Sequence, residues 1–166
     1  MQTSVNFAQP LGIPGEFVID GPVASRPFTL VSSDPTNNVF GRAFTVSSEG
    51  VAQAGGTGVF AGILTSPKEH VSFGTSAGGS LAPTLALPNN TRAELTTLAV
   101  GLLIAISAAC NIGDLVVFDQ TTGALSTVAV GSSTPGTGKS FVPNAVISDY
   151  TPSAAGIAVM RMVSGA

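Results

Sequence analysis

The run Ala93–Val128, AELTTLAVGLLIAISAACNIGDLVVFDQTTGALSTV, decides the fold class. Four apolar segments are separated in it by Gly101, by Cys110–Asp114 and by Asp119–Gly123, and they read as consecutive buried strands joined by tight turns. Val116, Val117 and Phe118 favour extended backbone because β-branched and aromatic side chains pack well on a pleated surface. Thr122-Gly123 supplies the left-handed position that a short hairpin loop wants, so Leu115–Thr127 is predicted to be a hairpin. The run from Leu98 to Ala109 has no charge and no clean alternation. Both its faces should therefore be covered by protein, which puts it at the centre of the core. Neither this run nor the rest of the chain groups side chains that could perform chemistry, and a structural role is the expectation.

At 166 residues the chain fits one domain and is long enough to bury about two thirds of its unfolded surface. Charged residues make up 9% of it, against about 25% in an ordinary soluble domain. Polarity comes instead from Ser, Thr, Asn and the 20 glycines, and 44% of the residues are apolar. A partner that covers surface would account for this balance. The net charge of −3 and six scattered basic residues cannot make the electropositive stripe that phosphate contacts need, so nucleic acid is not an expected partner. Cys110 stands alone and reads as a small core residue. Met1–Gln9 lacks the pattern of a secretory signal, and Leu98–Ala109 is too short to span a bilayer; the expectation is a soluble protein made in the cytoplasm, with no membrane partner.

Along the chain, Met1–Gly15 contains Phe7 and a Pro10-Leu11-Gly12-Ile13-Pro14-Gly15 run that fixes φ twice and frees it twice. It cannot be a helix and should be an extended arm or an edge-running lead-in, either frayed or ordered on a neighbouring subunit. Its candidate contacts are Phe7, Pro10, Leu11, Ile13 and Pro14. From Glu16 onwards, short extended segments alternate with turn residues about every ten positions, the pattern of a sandwich or barrel. The segments are Glu16–Ile19, Phe28–Val31, Val39–Val46 with a bend at Gly41, Val59–Thr65, His70–Phe73, Leu81–Leu87, the central run, Phe141–Tyr150 and Ala155–Val163. Residues 74–80 and 131–140 read as Gly/Ser/Thr loops. No capped, 3.6-periodic segment occurs, so almost no helix is expected. The predicted fold is all-β, a sandwich or barrel of about ten short, mostly antiparallel strands, with an arm at 1–15 and a single domain at 16–166.

Two motifs resemble catalytic ones and fail in context. Gly74-Thr75-Ser76-Ala77-Gly78 has the form of a nucleophile elbow, but no helix can follow it, and the single histidine, His70, precedes the serine. Ser133–Ser140 ends in Gly-Lys-Ser as a phosphate-binding loop does, yet its first glycine is missing and Pro143 blocks the helix that should follow. No pair of potential metal ligands lies at useful spacing, and no cofactor is expected. Asp114 and Asp119 read as caps of tight turns.

Several segments resemble the structural cement, or capsid decoration, proteins of tailed bacteriophages. They are Gly12-Ile13-Pro14-Gly15, Phe40-Gly41-Arg42-Ala43, Phe60-Ala61-Gly62-Ile63, Gly113-Asp114-Leu115-Val116-Val117, Thr122-Gly123-Ala124-Leu125 and Gly156-Ile157-Ala158-Val159. The resemblance lies in their order and spacing over about nine tenths of the chain. It implies a β-rich virion protein on the outer capsid surface, made in the host cytoplasm, without catalysis. Its partners would be the major capsid protein, whose neighbouring subunits it bridges, and itself, as a homotrimer in preference to a dimer. The alternative is a receptor- or carbohydrate-binding β module of a fibre or adhesin. Against that stand the absence of Trp and the presence of only one Tyr, because sugar faces are gripped by stacked aromatics.

Overall fold

The computed structural model describes residues 12–48, 50–67 and 86–163. Its axis is a single 15-residue strand, β6 (Arg92–Ile106), which serves as one wall of two closed barrels. The other strands are β1 (Phe17–Ile19), β2 (Ala24–Leu30), β3 (Ala43–Ser48), β4 (Val51–Ala54) and β5 (Val59–Leu64). After β6 come β7 (Leu115–Asp119), β8 (Leu125–Val128), β9 (Lys139–Asp149) and β10 (Gly156–Met162). Around the first barrel the order is β6-β2-β4-β3-β5, closing again on β6; around the second it is β6-β10-β9-β7-β8, likewise closing on β6. Pairing is antiparallel except for β2 with β4 and β6 with β8. A one-turn 3-10 segment lies at Pro35–Asn37, capped by Asp34.

The inward positions of β6 divide between two cores. Ala93 and Leu95 join Leu30, Phe44, Ala52, Leu64 and Leu87 in the first barrel. Ala99, Leu102, Ile104 and Ile106 join Val116, Phe118, Ile147, Met160 and Met162 in the second. The inward set changes from odd to even numbers between Ala99 and Leu102, where the pairing with β10 slips by one residue opposite Met160–Met162. A bulge is required there, because side chains alternate along a strand and one extra residue exchanges its faces. Each fully buried Leu, Ile, Phe or Met contributes about 1.5–3 kcal/mol through removal of apolar surface from water. With most of these side chains at or near zero exposure, the two cores account for the bulk of the stabilisation.

A second joint ties the barrels together. The β7–β8 hairpin turns at Asp119–Gly123, with Gly123 at φ +72°, and its tip lies against the first barrel. There the Ala43 amide donates to the Gly123 carbonyl, the Gly56 amide donates to the Gln120 carbonyl, and Arg42 Nη1 donates to the Thr122 carbonyl and to Asn37 Oδ1. A buried polar knot in the first barrel adjoins this joint. Ser32 Oγ donates to Asn38 Oδ1, Asn38 Nδ2 donates to the Leu87 carbonyl and to Asn89 Oδ1, and the Ala54 amide donates to Ser32 Oγ.

The all-β expectation holds, and the architecture is a pair of barrels. The Leu115–Thr127 hairpin forms as predicted, as do the strands at Val59–Thr65, Phe141–Tyr150 and Ala155–Val163, within a residue or two at their ends. Gly101, by contrast, does not separate two segments, because β6 runs straight through it. Ile19 of β1 packs on the space a side chain would fill there, with its atoms 2.6–2.8 Å from where a Cβ would stand. The predicted Val39–Val46 strand begins only at Ala43. Gly41, at φ +77°, makes the bend before it, with Pro14 and Gly15 pressed against it. His70–Phe73, most of Leu81–Leu87, and loop 74–80 with Ser76 lie outside the described residues.

Candidate functional site

The exposed apolar surface concentrates where the chain enters the fold. Ile13, Pro14, Gly15 and Glu16 form a reverse turn in which the Glu16 amide donates to the Ile13 carbonyl and Glu16 Oε2 accepts from the Ile13 amide. The turn is stitched to both barrels. Gly15 donates to the Leu103 carbonyl and Leu103 donates to the Glu16 carbonyl, while the Ser66 amide donates to the Gly15 carbonyl. Beyond the turn, β1 pairs with β6 at Phe17↔Leu102 and Ile19↔Gly101, and among the described residues no strand pairs with its second edge. Phe17, Val18 and Ile19 are 38–42% exposed, and Ile13 and Val23 continue the strip at 37% and 47%.

Of the contacts expected from sequence, Ile13 is therefore on this strip. Pro14 is half-buried against Gly41, and Phe7, Pro10 and Leu11 lie outside the described residues. Sequence reasoning missed Phe17, Val18, Ile19 and Val23. The signal was present: three successive apolar residues in a strand cannot all face inward, because neighbours point to opposite faces.

A second exposed group sits at the far end of the second barrel, where Ile112 is 68% and Tyr150 63% exposed. Their loops touch, since the Gly113 amide donates to the Ile147 carbonyl and the Cys110 amide to that of Pro152. Tyr150 adopts φ +48°, a left-handed conformation that is uncommon for a bulky residue.

The polar residues singled out in the sequence have local partners. Asp119 Oδ1 accepts from the amides of Thr121 and Thr122 and from the Thr122 hydroxyl. Burial raises the pKa of this carboxyl, but these hydrogen bonds, with the Lys139 charge, outweigh burial and hold it below its ordinary value. Asp114 Oδ2 accepts from the Asn111 amide, and both aspartates thus cap turns as expected. Lys139 opens β9 and donates from Nζ to Ser126 Oγ, 2.8 Å away, so Ser133–Ser140 is a loop leading into a strand. Burial lowers the Arg42 pKa while Asp34 and Asp119 oppose it. Cys110 is buried, and burial, then Asp114, pushes its thiol up. Among the described residues no group of three or more His, Cys, Asp or Glu side chains is placed to hold a metal ion. Nor is any described helix long and apolar enough to cross a membrane.

Comparison with known proteins gives a single direction. The family model described as "Structural cement protein (E217 gp24/Pam3 gp6)" matches residues 1–163. A chain of the solved structure titled "The capsid of Myoviridae Phage XM1" superposes with a TM-score of 0.65 at 18% identity, covering 99% of this chain and 98% of that one. At that identity the likeness speaks for the fold. No curated protein matches the sequence.

Proposed function

Since the chain belongs to the phage structural cement protein family, whose model spans residues 1–163, we propose that it binds the outer surface of a phage capsid and stabilises the shell by bridging neighbouring major capsid subunits. The match over nearly the whole sequence carries this reading. Two features of the molecule support it: a surface with few charges, and the apolar strip from Ile13 to Val23 beside an open strand edge. The mechanism is passive and needs no catalytic group. Two barrels welded through β6 make a stiff block, the residues before the Ile13–Glu16 turn serve as an arm reaching a neighbour, and three copies assemble around their contacts. Because a lattice repeats each contact many times, modest free energy per interface becomes large avidity for the shell.

The test is co-sedimentation of the purified protein with expanded shells that lack it, alongside its mass in solution. A trimer that saturates shells at a fixed ratio is the expected result. A monomer that leaves shells undecorated would overturn the proposal.

A further inference from the structure

The open edge of β1 has the chemistry to receive one more strand, and we infer that its occupant is residues 3–9 of a second copy of this chain. The inference rests on the arm reading above and adds the arm's receptor. Among the described residues β1 is bonded along one side only, leaving backbone donors and acceptors on the other, and the exposed side chains around them are Phe17, Val18, Ile19 and Val23. An extended peptide completes such an edge through main-chain hydrogen bonds, with alternate side chains seated on the neighbouring apolar surface.

Thr3-Ser4-Val5-Asn6-Phe7-Ala8-Gln9 has the matching pattern. Paired as a strand, it would set Val5 and Phe7 on one face and Ser4, Asn6 and Ala8 on the other. The segment is uncharged and has no proline before Pro10, so every residue can donate to a ladder. A charged segment would have to be desolvated against Phe17 and Val18 at high cost, and this one carries no charge.

The same chain cannot fill its own edge well. A strand returning from the Ile13–Glu16 turn would set Gly12 opposite Phe17, Leu11 opposite Val18 and Pro10 opposite Ile19. No backbone bond joins Gly12 to Phe17, and Pro10 has no N–H to offer. Residues 3–9, with their full set of donors, would then overshoot β1 towards Asp20 and Gly21. Taken from a neighbour, they meet β1 without this constraint.

The experiment uses full-length protein carrying Phe7→Cys mixed with full-length protein carrying Val18→Cys, refolded together and oxidised. Val5→Cys and Ala8→Cys serve as register controls, because a disulfide needs Cα atoms about 4.4–6.8 Å apart. A disulfide-linked pair of unlike chains is expected from at least one arm position. In parallel, Phe7→Asp and Val18→Asp should each weaken self-association at least tenfold while Asn6→Asp, on the opposite face, leaves it unchanged; far-UV circular dichroism reports that all three are folded.

An intrachain disulfide in the Phe7→Cys/Val18→Cys double variant, with no linked dimer, would assign the edge to the chain's own arm and overturn the inference. Unlinked chains whose association ignores both aspartates would overturn it too. Shell decoration by the same samples separates the two readings. Decoration without cross-linking leaves the cement function standing and removes this receptor, whereas cross-linking without decoration keeps the receptor and removes the cement function.

Discussion

The Ala43 amide donates to the Gly123 carbonyl over 2.9 Å, joining the first residue of β3 in one barrel to the hairpin tip of the other. The approach is so close that a Cβ on Gly123 would meet the Ala43 carbonyl oxygen and, at 2.8 Å, the Gly55 nitrogen, both of them backbone atoms that cannot swing aside.

Gly123→Ala is therefore expected to destabilise the fold by about 2–3 kcal/mol, from left-handed strain plus the steric clash. At about 2–4 °C per kcal/mol for a chain of this size, thermal unfolding should begin visibly earlier. Gly131→Ala is the control: φ is +79° there too, but nothing lies within 4 Å. Equal losses at the two sites would mean that the contact between barrels adds nothing.

The shared strand predicts a single unfolding transition. Tyr150, the only tyrosine, lies at the end of the second barrel, whereas circular dichroism averages over both. Urea curves followed by tyrosine fluorescence and by circular dichroism should coincide, and Leu102→Ala should move both by about 2–5 kcal/mol. Separate midpoints would show that the barrels melt independently.

Asn38 is fully buried and serves three partners at once, Ser32, the Leu87 carbonyl and Asn89. Asn38→Ala removes the acceptor of the Ser32 hydroxyl and the side-chain donor to the Leu87 carbonyl and to Asn89 Oδ1, and should cost about 2–3 kcal/mol, seen as a lower urea midpoint at unchanged slope. Retained stability would mean that water or a shifted side chain replaces the amide.

Asp119 sets part of the acid limit. Its folded pKa is below the ordinary value of 3.8, so its contribution is present above that value and is lost as pH falls through the folded one. Asp119→Asn keeps an acceptor oxygen but no charge. The variant should be less stable at neutral pH and should show a shallower loss of stability below about pH 4. Parallel pH profiles for the two proteins would exclude this carboxylate from the acid transition.

How far the fold could be read from sequence depended on how local its causes were. Phe118, Asp119 and Gly123 specify a hairpin within a dozen residues, so β7 and β8 were legible. The continuity of β6 was not, because Gly101 reads as a break until Ile19, far away in sequence, is seen packed on it. β4 (Val51–Ala54) was missed for a related reason: Val51 and Gln53 are only half-covered, and its parallel partner β2 carries Pro27. Closure into two rings depends on long-range pairings such as Ile106↔Leu125 and Leu64↔Leu95, which no local pattern encodes. At Ser133–Ser140 the Pro143 signal was legible, since the segment runs into β9 and not into a helix. At the surface, Glu16–Ile19 was legible as an extended segment, but its exposure was not, because that depends on its pairing with the distant β6.

One wall shared by two barrels also imposes a schedule on synthesis. The first barrel is built from β2 to β6, so every strand it needs has been made once Ile106 emerges. The other half of β6, with Leu102, Leu103 and Ile104, must wait for β10, which begins at Gly156. Throughout that interval the nascent chain carries a bare, apolar, charge-free strand edge, the form of backbone most apt to pair with a neighbour on the next ribosome. Until its last strand arrives, the chain is therefore open to mispairing along that side of β6.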